Sequence, residues 1–111
     1  MIMTKEEENN VLAGIQAALE EMKGSGDDIL FLESRNNRGV LSGSIEGLAA
    51  LFAWNMAAYP AFVIVVEMAR NLYIAKEKEL KQMVASSKPV HEIVDNYGHD
   101  FEEMLKIVKN D

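Results

Sequence analysis

Apolar residues recur every three to four positions at Leu12, Ile15, Leu19 and Met22, behind a Thr4…Glu7 pair with the spacing of a capping box. This pattern predicts an amphipathic helix over roughly residues 4–23. Gly24-Ser25-Gly26 ends it, and Asp27 and Asp28 extend the polar break. The chain then reads ILFLESRNNRGVLSGS, in which Ile29–Ser34 and Val40–Ser42 flank Arg35-Asn36-Asn37-Arg38-Gly39. Asn and Gly tolerate the positive φ of a tight turn, so two short antiparallel strands are predicted. A short helix over Asp27–Glu33, capped by Asp, is the competing reading, because periodicity cannot separate the two over so few residues. A lone hairpin is marginal in water, so its apolar side must lie on the helices or pair with another subunit.

The next stretch, Gly47 to Val66, is twenty residues without a charge. Its eight strongly apolar residues contribute about −0.3 to −0.6 kcal/mol each on an insertion scale, roughly −2 to −5 in total, which is thin support for a membrane span. Asn55 has no obvious partner in lipid, Pro60 removes a backbone donor, and both flanks, Glu46 and Glu67, are acidic. Two helices fit better: one from Ile45 to Ala58, with Ser44 as its N-cap, and one beginning at Pro60, where a missing N–H costs nothing. Both are apolar around most of their circumference, which calls for burial on several sides. A short chain supplies little all-round burial, so self-association through the apolar helices of residues 45–74 is the expected supplement.

From Arg70 the second of these helices becomes amphipathic, and Ser86-Ser87-Lys88-Pro89 breaks the chain. Val90, Ile93 or Val94, Tyr97, Phe101, Met104 or Leu105 and Val108 then form one stripe, predicting a last helix that runs through Gly98 at a cost of about 1 kcal/mol against Ala. The expected fold is therefore α+β and predominantly helical, with about four helices and one short β-hairpin between the first and second. At 111 residues the expectation is a single domain over 1–111.

Composition narrows the function classes. Apolar residues make up 49% and charged residues 26%, the balance of a soluble globular protein. The absence of cysteine removes disulfides, thiolate nucleophiles and Cys-based metal sites. Eighteen acidic against eleven basic side chains give a formal charge of −7, which opposes binding to duplex nucleic acid. The start, MIMTKEEENN, has neither the basic flank nor the apolar run of a secretory signal, and a cytoplasmic location is expected.

Three places carry candidate chemistry. In RNNRGVLSGSIEG, a strand leads through Ser42, Gly43 and Ser44 into a helix N-terminus whose free N–H groups suit an anion, with Arg35 and Arg38 across the hairpin turn. Turn glycines with an ordinary serine cap would leave the same residues. In HEIVDNYGHD, His91, Asp95 and His99 fall on one helical face, but positions eight apart lie about 12 Å apart along a helix, too far for one ion. No metal site and no cofactor is expected. Trp54 and Asn55, with Tyr59 and Tyr73, place an amide among aromatic rings, an arrangement that reads a planar ligand or satisfies itself inside a core or oligomer seam. With no nucleophile-elbow sequence and no His–carboxylate pairing beyond one helix face, the chain is not expected to be an enzyme.

The stretch VLSGSIEGLAALFAWNMA, between an acidic helix and a Lys/Glu-rich one, resembles small accessory proteins of bacterial phages and prophages. That resemblance, one of general pattern, implies a non-catalytic anti-defence inhibitor. The expectation is an oligomeric binding protein that sequesters a small anionic, nucleotide-like ligand at Arg35, Arg38, Ser42, Gly43, Ser44, Trp54 and Asn55. The alternative is an acidic inhibitor or assembly adaptor acting on a host protein, with fast, salt-sensitive association.

Overall fold

A computed structural model describes residues 2–94 and 98–109. The fold is α+β and mostly helical: α1 (Lys5–Glu21), β1 (Ile29–Glu33), β2 (Arg38–Ser42), α2 (Ile45–Ala58), α3 (Pro60–Ala85), a 3₁₀ turn (Val90–Ile93) and α4 (Phe101–Lys109). The chain divides into two compact units, Met1–Ala49 and Ala50–Asp111, with the division falling inside α2.

In the first unit the capping box forms as the sequence indicates. The Glu7 N–H donates to Thr4 Oγ1 at 3.1 Å, and the Thr4 N–H donates to Glu7 Oε1 at 3.1 Å. The strands pair antiparallel, with Ile29 opposite Ser42 and Glu33 opposite Arg38. This places Gly39 inside β2, opposite Leu32, so the predicted turn over Arg35–Gly39 is corrected to residues 34–37. The positive φ falls on Asn37, at 52°, because an asparagine tolerates the left-handed region and the Glu33–Arg38 pair extends the ladder. One face of the hairpin, carrying Phe31 and the fully buried Val40, is turned inward, while Leu32 and Leu41 point outward. The hairpin lies on α1 and is tied to it at the turn: Arg35 pairs with Glu8, and Asn36 Nδ2 donates to Asn9 Oδ1.

In the second unit α2 ends at Ala58. The Tyr59 N–H still donates to Asn55 O at 2.8 Å, and extended Tyr59 lets Pro60 open α3. Beside this corner the rings of Phe52 and Phe62 meet at 5.7 Å between centroids, tilted by 52°. The apolar run is thus divided at Pro60, and among the described residues no helix is long and apolar enough to cross a membrane. α3 is interrupted at Lys76, with φ −127° and ψ 33°. Ala75, Lys76, Glu77 and Lys78 are good helix formers, so local propensity does not make the break. It falls where Lys76 Nζ donates to Ile93 O at 3.4 Å and where Ile93, in the 3₁₀ turn, is buried.

The continuous last helix is corrected. Residues 90–93 form the 3₁₀ turn, Val94 is extended, residues 98–100 are not helical, and α4 starts at Phe101. The reason is a cap the apolar stripe hid: Asp100 Oδ1 accepts from the N–H groups of Glu102 at 2.9 Å and Glu103 at 3.2 Å. A capped start there outweighs continuation through Gly98. Asp95 and Tyr97, which belonged to the predicted helix, lie outside the described residues.

Candidate functional site

The helix N-terminus singled out in the sequence is built as a closed junction. Ser44 caps α2, its Oγ accepting from the Gly47 N–H at 2.9 Å, and its own N–H donates to Asp28 Oδ1 at 3.0 Å. Gly43 takes φ +122°, and a Cβ added to it would collide with Asp28; so would one on Gly47. Both glycines are therefore required by close approach: the Asp28 carboxylate packs in the space where side chains would stand. Negative charge at the start of a helix is favourable, and here the chain supplies it from sixteen residues upstream.

The two arginines stand at the other end of the hairpin. Because Ile29 pairs with Ser42 while Glu33 pairs with Arg38, Ser42 and Arg38 are four strand positions apart, about 13 Å. Arg35 is in the turn, where it pairs with Glu8 and donates through Nη1 to Lys5 O at 3.4 Å. Arg38 Nε lies 3.7 Å from Glu33 Oε1, with only 20% and 8% of the two side chains exposed, and Arg38 Nη1 is buried without a hydrogen-bond partner. The structure thus brings Gly43 and Ser44 against Asp28, leaves Ser42 as the strand partner of Ile29, and sets Arg35 and Arg38 separately against Glu8 and Glu33.

Trp54 and Asn55 belong to the second unit. The Trp54 side chain is 67% exposed, whereas Asn55 is half-buried and donates from Nδ2 to Leu51 O at 2.8 Å, one turn back in its own helix. Tyr73 OH donates to Glu77 Oε1 at 3.5 Å. Of the histidine set, His91 lies in the 3₁₀ turn and His99 before α4, while Asp95 lies outside the described residues. Among the described residues no group of three or more acidic or histidine side chains is placed to hold a metal ion.

One feature escaped sequence reasoning. Ala61, Ile64, Val65 and Met68 of α3 face Phe101 and Met104 across a half-open groove of about 450 Å³, with Val94 and His99 completing its lining. Both apolar stripes are legible in the sequence, but their apposition is not, because it depends on where α4 begins. Comparison with protein-family models, with curated proteins and with solved structures finds no match to this chain.

Proposed function

We propose that this is a non-catalytic binding protein that works as a homo-oligomer, assembled through the apolar surfaces of α2 and the first half of α3. One observation carries the reading: α2 has Glu46 as its only charged residue, yet none of its fourteen residues is buried. An apolar helix without a buried residue is stabilised by removing that surface from water, and neighbouring copies are a ready means. On α3, Ile64, Val65 and Met68 are also left at 37%, 44% and 55% exposure. Sedimentation velocity on detergent-free protein is expected to give a multimer that tightens as salt rises, since copies of net charge −7 repel one another. Trp54→Gln combined with Met68→Gln should lower the mass to that of a protomer while leaving the helical circular dichroism signal in place. A wild-type protein that stays monomeric at high concentration and high salt overturns the reading.

A second reading, capture of a small anionic, nucleotide-like ligand, rests on the Arg38 guanidinium, whose Nη1 has no hydrogen-bond partner but is buried, so that a ligand reaches it only when the Glu33 pair opens. Titration calorimetry with a panel of linear and cyclic nucleotides tests it: binding that Arg38→Gln abolishes supports it, and no binding removes it. The Asp28 carboxylate at Ser44 and the Glu8 pairing of Arg35 occupy the other donors that such a ligand would use.

A further inference from the structure

We infer that the open flank of α1 is a docking surface for a basic amphipathic helix of another protein. α1 lies on the hairpin, yet one flank of its apolar stripe stays open. Val11, Ile15 and, at the end of the helix, Met22 are 48%, 40% and 45% exposed, and exposed Ala18 continues the line between them. Their spacing of three to four residues puts them on one face. Gly14, on the same side, has nothing within 4 Å of where a Cβ would stand, so the face is open beside Ile15 and an incoming apolar side chain can seat against the backbone.

Charge decides the occupant. Glu7 stands one turn before Val11 and Glu21 one turn after Ala18, about 21 Å apart along the axis, so a carboxylate marks each end of the apolar line. A second copy of α1 laid on this face would bring Glu7 against Glu7 if parallel, and Glu7 against Glu21 if antiparallel; either orientation opposes like charges. The first unit as a whole has nine acidic against four basic side chains. Three of those four cations, Lys23, Arg35 and Arg38, already pair with Glu20, Glu8 and Glu33. The uncompensated charge is therefore negative, and the complementary partner carries leucine-like side chains on one face with Lys or Arg flanking them. This surface lies within the first unit and does not depend on assembly through α2 and α3.

The test uses the full-length protein and a labelled Leu/Lys amphipathic peptide several turns long, with a control in which every Lys is Glu, read by fluorescence anisotropy. The Leu/Lys peptide is expected to bind, the Leu/Glu peptide not, and binding should weaken with rising salt, opposite to the salt response expected for self-assembly. Val11→Gln with Ile15→Gln removes most of the apolar line without touching a charge and should weaken binding by about tenfold or more, while the oligomer mass and the helical circular dichroism signal stay unchanged. Gly14→Leu closes the open side with a residue that favours helix, so loss of peptide binding by this variant cannot be ascribed to unfolding. The inference is overturned if neither peptide is preferred, if the glutamine variants bind as well as wild type, or if they lower the oligomer mass, which would make a second copy the occupant.

Discussion

The two ends of α2 solve the problem of a short apolar helix in opposite ways. At its start, the backbone N–H groups of Ser44 and Gly47 have partners, Asp28 and Ser44, and two glycines admit the Asp28 carboxylate against the backbone. Toward its other end, the side chains are apolar and open: Trp54 is two-thirds exposed, and beside the Tyr59–Pro60 corner the helix is held by the Phe52–Phe62 ring contact. The first N–H groups of a helix have no partner within it, and a cap that supplies one is worth about 0.5–2 kcal/mol. Apolar surface can instead remain for another molecule to cover. Binding surfaces are therefore to be sought where side chains are open, and the tightly bonded junction is to be read as structure.

Three substitutions sharpen that contrast, in falling order of effect. Gly43→Val should be the most damaging, about 2–4 kcal/mol by urea denaturation, since it combines φ +122° with collision against Asp28. Asp28→Ala should cost about 1 kcal/mol by removing the acceptor of the exposed Ser44 N–H and the negative charge at the start of α2. That variant also vacates the anion position, so inorganic phosphate should raise its melting temperature more than that of the wild type. An equal response in both proteins would mean that Asp28 does not stand where an anion would bind. Arg35→Ala should cost less than about 1 kcal/mol, because both side chains of its pair with Glu8 are 38% exposed. A loss as large as that for Asp28→Ala would show the turn, and not the junction, to be what fastens the hairpin.

Local signals made most of the elements legible. The Thr4…Glu7 pair, Gly24-Ser25-Gly26, the Ser44 cap and Pro60 each act over three or four residues, and the structure places the corresponding boundaries at or within three residues of them. The hairpin turn was displaced because Asn37 and Gly39 both accept positive φ, and cross-strand register, not composition, chose between them. Asp100 was missed as a cap because the apolar stripe continued on both sides of it. The candidate anion residues were legible as types but not as a constellation. Strand pairing put Arg38 at one end of the hairpin and Ser42 at the other, and residues distant in sequence, Glu8 and Asp28, took the donors.

What the sequence determined by itself was therefore the order and kind of elements, the division of the uncharged run at Pro60, and the acidic excess, because caps, proline geometry, helical periodicity and formal charge are local or additive. Only the tertiary structure decided which donors are spent, where α3 breaks, that α3 and α4 enclose a groove, and that one flank of α1's apolar stripe stays open. Each of these depends on which distant residues meet, and that is set by the pairing and packing of whole elements.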